Sequence, residues 1–375
     1  MASRVCDKGK HMAQSAVTPP DLPAKAAPKR RSEAASGLLM VSPTAIYALL
    51  LLAAPLITIF TYSFLTDGYL TVELTPTIGS YVEAWTNEVY RVVMLRSLGV
   101  AMAVTLVTVV LAFPIAYYVS FYVEPSRKSL WLFLITIPFW TSYLIRVFLW
   151  KVILGFNGVV NSGLMGLGII DEPLTFILYN TNAIVITLAH AYAPFAILPI
   201  FVALEKIDRS FLEAGRDLGE SSFVTFLRVT LPLAMPGVIS AVMIVFIPTI
   251  GDYVTPHLVG GPEGKMVANL VQVLYLKLDN YPLGSALAVS SMLMVGLVLV
   301  MAAMQLAIFG YVFKRIAGQT PMILAIFTAL AAAQALLVVV IALWLVTGNA
   351  PLTVVLGAAL HVVALLALRR KRSAL

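Results

Sequence analysis

Long apolar runs separated by short polar segments fill most of the 375-residue chain. A helix needs about 20 apolar residues to cross the hydrocarbon core of a bilayer. Eight segments come near that length: Leu38–Phe64, Leu98–Tyr122, Leu130–Ile153, Ala183–Leu204, Leu233–Val254, Leu283–Val312, Pro321–Val346 and Leu352–Leu368. The pattern predicts an all-α polytopic membrane protein. Between the first two spans, Thr66–Arg96 is too polar to cross. Tyr81, Val82, Trp85, Val89 and Val92-Val93 recur there at rough helical spacing, which predicts an amphipathic helix on the outer face. Residues 1–36 are polar and rich in Pro and Ala, and carry Lys29-Arg30-Arg31 near their end. They lack the apolar core and cleavage site of a secretory signal and are expected to form a disordered basic tail.

Composition narrows the class further. The chain is 60% hydrophobic and 11% charged, with a mean hydropathy of +0.94, which excludes a single water-soluble core. Its one cysteine, Cys6, allows neither an intramolecular disulfide nor a cysteine metal framework. A net charge of +7 would suit nucleic acid, but its distribution argues against that partner. With the N-terminus inside, the inner segments hold Lys29-Arg30-Arg31, Arg127-Lys128, Lys206, Arg209, Arg216, Arg228, Lys314-Arg315 and the Arg369–Arg372 cluster. The outer segments hold only Arg91, Arg96, Lys265 and Lys277, while Arg146 and Lys151 are expected to snorkel from span three to the outer interface. This asymmetry follows the positive-inside rule. It predicts a multi-pass protein in membrane lipid with both termini in the cytoplasm.

The longest charged interruption between spans is Ser210–Gly237, SFLEAGRDLGESSFVTFLRVTLPLAMPG, placed inside by the same rule. Ser210 can N-cap a helix, with Glu213 three residues on as its capping-box partner. Gly219 suits the positive-φ position that ends it. Ser221 can cap a second piece with Phe223, Phe226 and Val229 on one buried face, and Pro232 and Pro236-Gly237 are expected to stop it. At fixed spacing, Glu213-Ala214-Gly215, Leu218-Gly219, Phe226, Val229, Leu231-Pro232 and Pro236-Gly237 resemble the "EAA" loop of the inner-membrane permeases of binding-protein-dependent ABC importers. This chain departs from the pattern at Gly215 and Glu220, both usually Ala.

The resemblance covers about Leu38 to Arg315 and is closest to the spermidine/putrescine type. Pro138–Ser142 with Arg146, Gly158, Asn161, Gly251–Pro256 and Gly260-Gly261 carry that part of it. It implies a six-helix type I permease core over residues 37–316. It also implies that Glu213, Ala214, Gly215, Leu218 and Gly219 dock on a dimer of ATP-binding cassette ATPases, alongside a second permease subunit and a solute-binding protein. Residues 317–375 lie outside the usual six spans and are expected to add a transmembrane hairpin. Its Ala325, Ala329 and Ala333 form a small-residue face for helix packing.

Ionisable groups within spans mark candidate sites. Asp252 sits in irregular sequence between Gly251 and Pro256, next to Tyr253, while Trp140, Tyr143 and Trp150 offer aromatic faces that can attract an ammonium group. These five residues are the candidate translocation path, although the aromatics also suit an interfacial belt. His190 reads more simply as a neutral histidine bonded to a neighbouring helix, and His361 is less informative. Pro194, Pro199 and Pro248 can kink spans four and five. Nothing suggests an enzyme, a cofactor or a metal site. His11, His190, His257 and His361 are scattered, and Gly260–Lys265 has Val259 and Met266 where a phosphate loop needs Gly and Ser/Thr. Hydrolysis of ATP is therefore expected in a partner. Opine-like amines, ferric iron or thiamine are alternative cargoes, and an ion-coupled secondary transporter is a different class, which would show paired broken helices in repeated halves.

Overall fold

A computed structural model of the chain describes residues 33–68 and 71–315. The expected spans seven and eight, His361, the C-terminal basic cluster and most of the N-terminal tail lie outside them. The chain divides into two compact units, Met1–Pro55 and Leu56–Leu375. Helix α1, Glu33–Tyr62, opens the described chain, and its apolar part, Gly37–Tyr62, is long enough to span a bilayer. The helix starts at Glu33, inside the stretch that composition assigns to the tail.

The Thr66–Arg96 segment differs from its expectation. Strands β1 (Leu65–Gly68) and β2 (Thr71–Pro76) form an antiparallel hairpin, and only the short α2, Gly79–Thr86, follows as a helix. Asp67-Gly68, paired with Thr71-Val72 across the hairpin, was the available signal in the sequence. The rest of the expected amphipathic helix belongs to α3, Glu88–Phe121, which starts well before the apolar run because Asn87 accepts the Val89 amide as its cap.

Span three is broken. Helix α4, Pro125–Thr136, continues as a 3₁₀ turn over Ile137–Trp140, and α5, Tyr143–Ile153, leaves it at 86°. Pro138 and the extended backbone of Thr141 and Ser142 make the break. Beyond it come α6, Val159–Gly166, and the long α7, Thr181–Glu205. Next are α8 (Arg209–Asp217), α9 (Ser222–Thr225), a π turn over Phe226–Thr230, and α10 (Leu231–Gly251). Pro232 and Pro236 do not stop the chain here: Ser222–Gly251 runs as one span. Pro232 cannot donate to the carbonyl a turn earlier, and the wider turn absorbs the mismatch, with the Leu231 amide reaching Phe226 O. The chain ends its described part with α11 (Val254–Val259), α12 (Val267–Leu276) and α13 (Tyr281–Arg315). Among the described residues five helices are long and apolar enough to cross a membrane, or six with the bent pair counted as one.

In the second unit α3, α7 and α10 pack on one another. Val104, Ala112 and Ala116 of α3 meet Leu188, Ile200 and Leu204 of α7 and Ala234 and Ala241 of α10. Lipid gives apolar side chains no reason to segregate from it, so close approach through small residues must supply the attraction. At Gly237 the approach is closest, since a Cβ there would lie 2.5 Å from both Ala203 Cβ and Pro199 O. A second cluster joins α2, the start of α3, the end of α10, α12 and α13, around Met94, Phe246, Leu274 and Leu287. We expect Gly237→Val to force α7 and α10 apart and cost about 1–3 kcal/mol by overpacking. Thermal unfolding of the detergent-purified protein would show this as a melting temperature lowered by at least about 2 °C.

Candidate functional site

Two groups of residues lie at opposite ends of the α3–α7–α10 core. At one end, Lys128 Nζ pairs with Glu205 Oε1 at 2.6 Å while Ser120 Oγ donates to Glu205 Oε2, tying α4, α7 and α3 together. The α8–α9 loop follows directly. Asp208, not Ser210, caps α8: its Oδ1 accepts from the Ser210 amide at 3.0 Å. Glu213 is thereby five positions past the cap, out of capping-box reach, and its side chain is exposed. The Ser210 amide, then its hydroxyl, hold the Asp208 carboxyl below its ordinary value. That support is complete above the unfolded value of about 3.9 and fades as pH falls through the lower folded one.

Gly219, at φ +77°, ends α8. The Glu220 amide returns to Gly215 O at 3.1 Å and the Gly219 amide to Arg216 O at 2.9 Å. This is the paired Schellman arrangement, and a residue with a Cβ fits its left-handed position poorly. Ser221 then caps α9 through Val224 N. The expected buried face differs: Phe223 is exposed, Phe226 and Val229 are half-buried, and Thr225 and Thr230 are buried. The π turn rotates the face that periodicity assigned. Phe226 packs edge-on against Phe113 and Tyr117 of α3, and Arg228 pairs with Glu220 at 2.6 Å. Gly215 is buried against Thr225, where a Cβ would stand 2.9 Å from its Cγ2. Apolar residues also remain outward beside the charged Glu213, Arg216 and Asp217: Phe211, Ala214, Leu218 and Phe223 are all exposed, Leu218 by 82%.

At the other end, α10 breaks at Asp252 and α11 begins. Asp252 Oδ1 accepts from Val254 N at 2.9 Å and from Thr255 N at 3.3 Å, while Oδ2 accepts from Tyr143 Oη at 2.7 Å. Tyr143 Oη also lies 2.7 Å from Thr255 Oγ1. The carboxylate, 8% exposed, thus caps α11 and joins it to α5. Asn269 of α12 steadies the same break by donating to Tyr253 O at 2.7 Å. Trp150 Nε1 donates to His190 Nδ1 at 3.1 Å, which agrees with the simple reading of that histidine.

Of the five expected path residues, the fold brings Tyr143 and Asp252 into contact and places Trp150 on the same face of α5. Trp140 is 80% exposed, because the break puts it on a different limb from Tyr143 and Trp150. Tyr253 is half exposed and takes part through its carbonyl. Arg146 does not snorkel. It is 8% exposed, with Nη1 donating to Ala191 O at 3.2 Å and Nη2 to Thr141 O at 3.1 Å. A charge in a span costs about 2.5–3.5 kcal/mol on insertion scales, and hydrogen bonds to a charged group return about 1.5–3 kcal/mol each. The two bonds offset part of the burial, since Nε is buried without a partner among the described residues. Thr255 entered the sequence reading only as part of the Gly251–Pro256 motif, and its contact with Tyr143 had no signal there.

Among the described residues the helices are long and apolar enough for a multi-pass membrane protein, with a capped loop at one end of the core and broken helices at the other. Residues 77–355 match the family described as the binding-protein-dependent transport system inner membrane component, and the chain belongs to it. The match omits α1 and runs past Arg315, whereas the sequence motifs alone suggested Leu38 to Arg315. The chain is an inner-membrane, multi-pass component of an ABC importer that works with a binding protein. The spermidine/putrescine transport system permease protein PotB of Escherichia coli K12 is 35% identical over 238 residues, 63% of this chain and 86% of PotB. Its Haemophilus influenzae counterpart is 36% identical over 65% of this chain and 85% of its own length. The inner membrane ABC transporter permease protein YdcU of E. coli K12 is 31% identical over 65% of this chain and 81% of YdcU. A bacterial alginate ABC transporter in complex with an alginate pentasaccharide-bound periplasmic protein shares the fold. One of its chains superimposes with a TM-score of 0.57 at 17% identity, over 76% of this chain and 96% of that one.

The Gly215–Thr225 contact generates a double-mutant test. Gly215→Ala should be more favourable by about 1 kcal/mol in a Thr225→Ser background, which removes the clashing Cγ2, than in the parent. Melting temperatures of the four proteins give the coupling. Additive shifts would remove the contact from the account.

Proposed function

We propose that this chain is the permease subunit of a polyamine importer, driven by a separate ATPase that docks on the α8–α9 loop. The observation that carries the coupling half is the outward apolar face of α8. Phe211, Ala214 and Leu218 recur at three- and four-residue spacing along it, exposed to water on a helix fixed at both ends. Burying Phe211 and Leu218 in a groove would yield about 1.5–3 kcal/mol each. Glu213, which caps nothing here, is free to meet a charge on the partner. Gly215 and Gly219 serve the shape of the element and not its contacts. In this reading the loop is cytoplasmic, as are both termini. ATP is hydrolysed in an ATPase dimer, and a second permease subunit completes the path. Residues 37–316 form the permease domain, 1–36 a basic tail and 317–375 an added hairpin.

For the cargo, the identity to relatives named as spermidine/putrescine permeases supports an organic polycation. Asp252, Tyr143, Trp150 and Tyr253 border the path at the outer end, with Trp140 beside them only across the break. A carboxylate already holding three hydrogen bonds is a fixed negative charge and a poor direct ligand. Asp252 therefore acts on a cation through its field and through the placement of α11.

Leu218→Asp and Gly219→Val should each leave membrane levels unchanged and lower both uptake and binding-protein-stimulated ATPase activity by about tenfold or more. The first puts a charge in the docking face, and the second puts a β-branched residue at positive φ. Leu218→Cys should react with a membrane-impermeant maleimide only after the cells are opened. Normal coupling in both variants, or labelling of intact cells, would remove the loop from this role.

Cells expressing the full complex should take up labelled spermidine or putrescine. Asp252→Asn keeps an acceptor for the α11 amides but loses the charge, so uptake should fall about tenfold while assembly is unchanged. Absence of polyamine uptake would overturn the cargo. Wild-type uptake by the Asn variant would leave the cargo standing and remove Asp252 from its recognition.

A further inference from the structure

The break in span three leaves main-chain groups without helical partners in an apolar setting. Thr141 and Ser142 are both extended. Ser142 O takes the Arg146 amide at 3.1 Å, but among the described residues Thr141 O accepts from no amide and takes Arg146 Nη2 instead. The other end of the same guanidinium reaches Ala191 O on α7, within the turn that Pro194 disturbs. Among the described residues no carboxylate oxygen lies within 4 Å of it. An ion pair therefore does not explain its burial; the two carbonyls do. Arg146 also stands midway along one stripe of α5, three positions after Tyr143 and four before Trp150, the residues that bond Asp252 and His190.

We propose that Arg146 is a positioning residue for transport, a latch that joins the broken span to α7 and fixes the angle at which α5 presents Tyr143 and Trp150. It rests on the reading that this face of α5 borders the path. Both carbonyls face it from different elements, and the planar fork aims one nitrogen at each. A lysine has the donors for both but converges them on one atom, so it would hold the pair at a different spacing. A neutral apolar side chain would reach neither and would leave Thr141 O unpaired within the bundle, where an unsatisfied polar group is strongly disfavoured. The break would then open or close to find a new partner, carrying α5 with it.

The latch can be read directly, without any cargo. In the full chain with Cys6→Ser, spin labels at Leu134→Cys on α4 and Leu149→Cys on α5, both exposed sites, report the angle across the break in the assembled complex. The parent should give one narrow distance distribution, Arg146→Met a broadened or displaced one, and Arg146→Lys an intermediate one. Uptake should follow the same order, with the maximal rate in Arg146→Met reduced about tenfold or more. The half-saturating concentration of loaded binding protein should stay within about twofold, because the docking surfaces are untouched. A parent-like distribution in Arg146→Met overturns the latch. A changed distribution with parent-like uptake overturns its role in transport. If Arg146→Met does not accumulate, Arg146→Lys decides alone, and parent-like distances and uptake in it overturn the proposal. Failure to carry polyamines would leave the distance result intact, so the two readings fail separately.

Discussion

Backbone polar groups inside a bilayer must find partners within the protein, and this requirement governs the breaks at Thr141–Ser142 and Asp252. Regular helices meet it automatically, which is why α3, α7 and α10 need little beyond small residues at their crossings. Where the helix gives way, a named side chain supplies what the backbone has lost. Arg146 serves the Thr141–Ser142 break, Asp252 serves the start of α11, and Asn269 serves Tyr253 O. The polar residues at the Asp252 end are first of all the means by which non-helical chain survives there. Any role in passing a solute is built on that one.

The other end solves a different problem. A loop in water can satisfy its backbone with solvent, so caps are not obligatory there, yet the α8–α9 loop has them at each boundary. Capping by Asp208 and Ser221, the Gly219 turn and the Arg228–Glu220 pair leave the loop little freedom. Phe226, wedged against Phe113 and Tyr117, links it mechanically to α3. The π turn then passes directly into α10, whose far end carries Asp252. One continuous span thus joins the loop to the break at the opposite face. Thr225 and Thr230, buried at the two edges of the π turn, have no hydrogen-bond partner for their hydroxyls among the described residues.

Departures from the family pattern also find a local cause. Gly215 replaces the usual Ala where Thr225 leaves no room for a methyl group, so the helix propensity lost to Gly, up to about 1 kcal/mol, accompanies a closer α8–α9 contact. Glu220 replaces another usual Ala and carries the ion pair to Arg228. Both changes strengthen contacts within the loop.

The sequence alone determined the class and much of the loop. Apolar runs near the length of a bilayer are set by composition, so spans one, two, four, five and six were legible to within a few residues at most ends. The Gly219 turn and the Ser221 cap were legible because they depend on single residues with narrow conformational preferences. Tertiary structure decided what periodicity is blind to. A run such as Leu130–Ile153 is equally apolar whether straight or bent, and only the partners of Thr141 O and Asp252 settle that it bends. Both Ser210 and Asp208 are good caps, and the cap is Asp208 because α8 already begins at Arg209. Arg146 looked free to snorkel because a long side chain near a span end usually can. Its burial follows from two carbonyls on separate elements, brought together by folding alone.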